Sequence, residues 1–192
     1  NLTRRGMDAT LRMFSTRTNY WAEFGVDTTL AALLIFEGWR LHTGGLLMAF
    51  AAIALGLLVY SFAEYCFHRW LFHTRIPLFE QGHRTHHEQP LGYDSLPFFL
   101  PAIVVLGLTG LGVLIMPTGF AFLMTGTMTL GYVFYGLSHY TIHHVRFRQP
   151  LLRRWAASHH IHHHHPHSNF GVTTPLWDIL LGTRYVQQSR KA

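Results

Sequence analysis

The run from Ser95 to Ser138 contains 44 residues without one Asp, Glu, Lys, Arg or His. Few folds accommodate such a stretch. It is longer than one helix needs to cross a hydrocarbon core of roughly 30 Å, and Pro117-Thr118-Gly119 interrupts it near the middle. Two apolar helices are therefore predicted, near 96–116 and 118–138, joined by a tight turn. A second uncharged run, Leu46–Ala63, has 18 residues, about the least that spans. Thr28–Leu41 is a weaker fourth segment because it contains Glu37 and Arg40. It reads either as a span or as a helix lying at the interface. The expected class is all-α: an integral membrane protein with about four transmembrane helices in two hairpins.

If all four segments cross, residues 1–26, the 64–95 segment and the chain after 138 share one face. That face carries 14 of the 15 Lys and Arg residues, all but Arg40, and by the positive-inside rule it is cytoplasmic. The same count argues against nucleic acid as a partner, since the arginines flank apolar runs instead of clustering on a soluble face. Cys66 is the only cysteine, which excludes an internal disulfide framework and any cysteine-based metal site. The length suits a single domain. Its expected parts are an N-terminal interfacial arm (1–26), transmembrane helices with an intervening cytosolic histidine segment (28–138, with 64–95 cytosolic) and a cytosolic C-terminal cap (139–192). Fourteen arginines to one lysine point to a GC-rich genome, and so to a bacterial inner membrane in preference to the endoplasmic reticulum.

The chain has 16 histidines against nine carboxylates, and all but His42 fall on the predicted cytoplasmic face. They form four groups: His68 and His73; His83, His86 and His87; His139, His143 and His144; and the run from His159 to His167. Residues three or four apart share a helix face. His83/His86/His87, His139/His143 and His159/His162/His163 follow that rule. His68 and His73 are five apart and do not, so one of them sits where the helix ends or bends, or serves a different ion. The fourth group can also be read one residue on, as His160/His163/His164. Ile161 and Pro166 interrupt this run, which distinguishes it from a tag. Neutral imidazole is the commonest metal ligand, and this many on one face exceed the needs of one ion, so a polyhistidine dinuclear site is expected.

Imidazole suits zinc, copper, iron and nickel alike. No His-Glu-x-x-His zincin motif occurs, and Glu80-Gln-Gly-His83 is the one Glu-x-x-His, where carboxylate-bridged di-iron bundles need two. A histidine-only pair at a membrane surface suits iron that uses O₂ against a lipid C–H bond. Zinc would also occupy such a site in a purified sample.

Several motifs resemble the membrane fatty-acid hydroxylase/sterol desaturase superfamily, and most closely its fatty-acid 2-hydroxylase (ceramide hydroxylase) branch. They are Glu64-Tyr-x-x-His68-Arg-Trp-Leu-Phe-His73, Gly131-Tyr-Val-Phe-Tyr-Gly-Leu-Ser-His139-Tyr-Thr-Ile-His143, Phe170-Gly-Val-Thr-Thr-Pro-Leu-Trp-Asp178 and Gly182-Thr183. The resemblance covers roughly residues 60–185. It implies a di-iron, O₂-dependent monooxygenase that hydroxylates a fatty acyl chain, free or in ceramide. The metal ligands it implies are His68, His73, His83, His86, His87, His139, His143, His159, His162 and His163. It further implies an external electron donor, cytochrome b5-like or ferredoxin-like with a reductase, and fixes no oligomeric state. Glu64, one turn before His68, reads either as orienting a ligand imidazole or as an interfacial partner of Arg69; Asp178 reads as structural. His144 reads as a supporting or surface residue. Carotenoid hydroxylases and sterol-type oxidases or desaturases share the boxes. A membrane metal transporter is the reading from another class; it is disfavoured because the second, third and fourth spans carry no ionisable residue.

Overall fold

The longest apolar run breaks where the sequence predicts, with Met116 and Pro117 separating two helices. The computed structural model describes residues 15–73, 77–93 and 95–187. Arg4, Arg5, Arg12, Arg75, Arg190 and Lys191, used in the charge count, lie outside them. In chain order the helices are α1 (Arg17–Leu41), α2 (Gly45–Cys66), α3 (Pro77–Glu88), α4 (Leu100–Ile115), α5 (Thr118–His144), α6 (Pro150–His164) and α7 (Leu176–Leu180). A π-helix, Phe67–Phe72, continues α2 without a break. Among the described residues there is no strand.

α5 lies at the centre, packed against α1, α2 and α4. Small residues let these helices approach closely. A Cβ at Gly38 of α1 would lie 2.6 Å from the Leu123 amide of α5, and one at Gly56 of α2 would run into Thr127 and the Met124 carbonyl. Ala49, Ala52 and Leu123 form the buried centre between them. Among the described residues two helices are long and apolar enough to cross a membrane: Gly45–Phe72, counting its π-helical end, and Thr118–His144. α4 is equally apolar but has 16 residues. Outward-facing side chains on these helices are apolar and largely uncovered, with Leu47, Leu114 and Ile115 about 80% exposed.

One boundary is corrected. Residues 17–26 are not a separate arm, because α1 runs unbroken through 25 residues from Arg17 to Leu41. Thr16 caps it by accepting from the Asn19 amide. Its buried stripe is Asn19, Glu23, Asp27, Ala31, Leu34 and Gly38, at helical spacing. The first three members are polar, so hydropathy detects only the second half of the helix. Asn19 ties the start of α1 to the approach to α4: its amide donates to Ser95 Oγ (2.8 Å) and the Leu96 carbonyl (2.7 Å), and its oxygen accepts from the Phe98 amide. Glu23 accepts from Tyr132 at 2.6 Å. At the opposite end, Gly119 packs on the backbone of His42. α1 and α4 thus begin, and α2 and α5 finish, at one end of the bundle.

Candidate metal centre

The histidines converge at that end. α5 presents His139 and His143 one turn apart; α6 supplies His159, His162 and His163; α3 supplies His83 and His86. The π-helix resolves the five-residue spacing of the first pair. A helix bonded i to i+5 has a longer period than an α-helix, which turns His73, at its C-cap, back toward His68. Their rings lie 19° from parallel at 5.5 Å.

Two groups result. His68, His73, His83 and His162 form one; His86, His139, His143, His159 and His163 form the other. Within each group the ligand atoms lie within 4.8 Å of one another. In the four-histidine group the Nε2 atoms are 3.3 Å apart for His68–His83, 3.1 Å for His83–His73 and 3.2 Å for His73–His162. In the five-histidine group they are 2.9 Å apart for His139–His86, 3.1 Å for His86–His163 and His163–His159, and 3.0 Å for His159–His143.

Protons cannot account for these contacts. His68 Nδ1 donates to the Phe170 carbonyl and His162 Nδ1 to the Ser168 carbonyl, so each presents a bare Nε2 lone pair to the centre. His83 Nε2 faces His68, His73 and His87 together and has at most one proton to offer. A shared cation removes the repulsion. Nitrogens held at roughly 2.0–2.1 Å from one ion stand about 2.8–3.4 Å apart in octahedral or tetrahedral geometry, close to the observed separations. Both groups therefore fit a metal ion held by imidazoles.

The protonation states agree. Burial, reinforced by neighbouring imidazoles, lowers His73 to about 4, His162 to about 3 and His163 to about 2. It holds His83 and His159 far below the ordinary range. All five are neutral at pH 7, the state that binds metal.

Of the ten histidines singled out in the sequence, nine enter these groups. His87 belongs to neither: its Nε2 is 3.0 Å from His83, and its ring stacks on His163 at 4.3 Å. It stands between the two groups. His160 and His164 are exposed and outside both, so the alternative register of the fourth box is not the one gathered. His144 is exposed as well, stacked on Tyr140 and donating to its carbonyl at 2.9 Å.

Glu64 acts on the site at one remove, through the backbone of the segment after Ser168. It touches no imidazole and no guanidinium. It accepts from the Val172 and Thr173 amides (2.7 and 2.9 Å) and from the Thr173 hydroxyl, while Arg69 donates to Tyr65. Asp178 accepts from the Phe170 and Gly171 amides (2.9 and 2.8 Å) and from Thr183 (2.7 Å). Two buried carboxylates thus clamp the segment whose Phe170 carbonyl orients His68. Asn169 supports the turn with a left-handed φ of 54°, a conformation Asn tolerates. Tyr135 lies inside the motif that runs from Gly131 to His143 but had no role assigned there; its ring stacks on His139 at 5.7 Å and 6°. Its spacing, four residues before His139 on one helix, is the signal that was available. A small crevice of about 10 Å³, room for about one water, lies between Tyr20, Tyr140, Pro90 and Gly92 beside His86, His139 and His143.

Residues 53–183 match the family model described as fatty acid hydroxylase. The chain belongs to that family. It is 35% identical to the fatty acid 2-hydroxylase of Homo sapiens over 67% of this chain and 38% of that protein. It is 29% identical to the dihydroceramide fatty acyl 2-hydroxylase FAH1 of Arabidopsis thaliana over 68% of this chain and 59% of that one, and 28% identical to the ceramide very long chain fatty acid hydroxylase SCS7 of Saccharomyces cerevisiae over 88% and 46%. The chain thus spans well under two thirds of the length of these three relatives. A solved structure, full-length scs7p with only the hydroxylase domain visible, superposes with a TM-score of 0.74 at 24% identity, covering 87% of this chain and 67% of that one. The helical fold is therefore shared with that hydroxylase domain.

Proposed function

We propose that the chain is an O₂-dependent di-iron hydroxylase that places a hydroxyl group on a fatty acyl chain, free or in a ceramide. The observation that carries this reading is the pair of imidazole groups, spaced as ligands of two ions, at the end of an apolar helical bundle. Family membership supplies the chemistry. The proposed ligands are His68, His73, His83 and His162 for one ion and His86, His139, His143, His159 and His163 for the other, with His87 between them. Bound iron would supply O₂ activation and hydrogen abstraction from carbon. The chain's own residues do the rest. Phe170 and Ser168 fix the tautomers of His68 and His162, and Glu64 and Asp178 hold that segment in place.

In this reading α1, α2, α4 and α5 all cross the bilayer as two hairpins. The histidine segment and the C-terminal part form a cap on the cytoplasmic face of an inner membrane. Exposed apolar side chains around the helices support lipid contact, since patches of that extent are not left to water. In this reading the electrons come from an external donor.

Mass spectrometry of lipids from cells expressing the chain is the test. One added oxygen on acyl chains is expected, together with two iron atoms per chain by elemental analysis. Oxygen added to carotenoids or sterols moves the substrate elsewhere in the superfamily. Zinc in every active preparation would overturn the iron assignment.

A further inference from the structure

The outer face of α6 carries a groove of about 560 Å³ that the proposed chemistry has not used. Phe147, Ala156, Arg146, Arg153, Arg154 and His160 are among the residues that line it. The ion pairs among the described residues are Arg40–Glu37 and Arg84–Glu80, so these three arginines have no carboxylate partner there. None lies near in sequence either: from Ser95 to Trp177 the chain has no Asp or Glu. The groove also leads inward. The His160 ring lies 5.6 Å from that of His143, whose Nε2 is 3.0 Å from His159.

We infer that this groove is the docking surface for an acidic one-electron carrier protein. The inference rests on the hydroxylase reading and names its partner. Hydroxylation of a C–H bond by O₂ puts one oxygen atom into the C–O–H product and releases the other as water. That takes two electrons and two protons from outside, so two reduced carriers are each oxidised by one electron per turnover. Arginine forks match carboxylates in a fixed geometry, and a basic concavity steers an acidic partner toward it. The groove puts that partner one ring contact from the five-histidine group. An anionic lipid headgroup would satisfy the arginines but would have no use for the contact between His160 and His143.

The test is association kinetics of the full chain, loaded with metal, in nanodiscs of neutral phosphatidylcholine. The probes are two soluble acidic carriers, a cytochrome b5 haem domain and a plant-type [2Fe–2S] ferredoxin. At least one is expected to bind, more slowly as salt rises. The triple charge reversal Arg146→Glu, Arg153→Glu and Arg154→Glu lowers its association rate constant by about tenfold or more and removes most of the salt dependence. Metal content and melting temperature serve as checks on folding, and Arg184→Glu, elsewhere on the chain, behaves as wild type. Unchanged association in a folded triple variant, or no binding of either carrier to wild type, overturns the proposal. So does a triple variant that loses only affinity for phosphatidylserine vesicles. Binding is measured without substrate. A chain that binds a carrier in this groove and oxygenates no lipid would therefore break the hydroxylase reading alone.

Discussion

The two histidine groups are built differently although they share helices. In the four-histidine group, two of the four rings are pinned through Nδ1 to backbone carbonyls, and the segment bearing those carbonyls is clamped by Glu64 and Asp178. In the five-histidine group His139 lies flat on Tyr135, and His159 Nδ1 is buried without a hydrogen-bond partner. The first group is fixed by hydrogen bonds of defined direction to the backbone of Phe170 and Ser168. The second has a fifth imidazole and gathers rings from α3, α5 and α6, so it depends on how those helices pack.

The largest effect comes from breaking the five-histidine group. His86→Ala or His143→Ala abolishes activity and removes close to one metal equivalent while the protein still inserts, as read by lipid mass spectrometry and elemental analysis; a fully active His86→Ala enzyme sinks the two-ion assignment. Next is Asp178→Asn, which loosens the carbonyl side of the pinned group. Its metal affinity falls about 10- to 100-fold, with the weakened site identified by combining the change with His139→Ala and following release to a chelator. Glu64→Gln leaves buried amides poorly matched and costs about 1–3 kcal/mol, measured as a lower denaturation midpoint with wild-type metal stoichiometry.

Acid provides a milder probe. In the metal-free protein, His73 and His162 resist protonation until about pH 4 and 3, while unfolded imidazoles take up protons near 6.5. The unfolded state therefore binds more protons below 6.5, and stability drops progressively from there down to about pH 3. Thermal melts of the metal-free chain between pH 7.5 and 4 follow this directly. The smallest effect belongs to His144→Ala, outside both groups, with stability changed by no more than about 0.5 kcal/mol and activity as in wild type.

Much of this was legible in the sequence. The uncharged runs located α2, α4 and α5, and Pro117 located the break between the last two, because neither conclusion depends on what the helices touch. Histidines three and four apart announced shared faces. The reading failed where tertiary contacts override a local pattern. Asn19 and Glu23, inside the stretch read as an interfacial arm, belong to the buried face of α1 and are matched by Ser95, Leu96 and Tyr132 from distant parts of the chain. Glu64 looks like a neighbour of His68 or Arg69, yet its partners are amides more than a hundred residues away. His87 has ideal spacing and still falls between the groups, since spacing on one helix does not say where the other three arrive.

The π-helix gives segment length a meaning that residue identity alone lacks. Removing one residue from Phe67–Phe72 would leave every histidine in the chain and favour an ordinary α-helix. That change would set the pair four apart, on one face of the helix. The π-helix thus absorbs one residue that an α-helix has no place for. A relative with one residue fewer between this pair keeps the two imidazoles together on an ordinary α-helix, whereas the five-residue spacing without the π-helix turns the second about 140° away from the first.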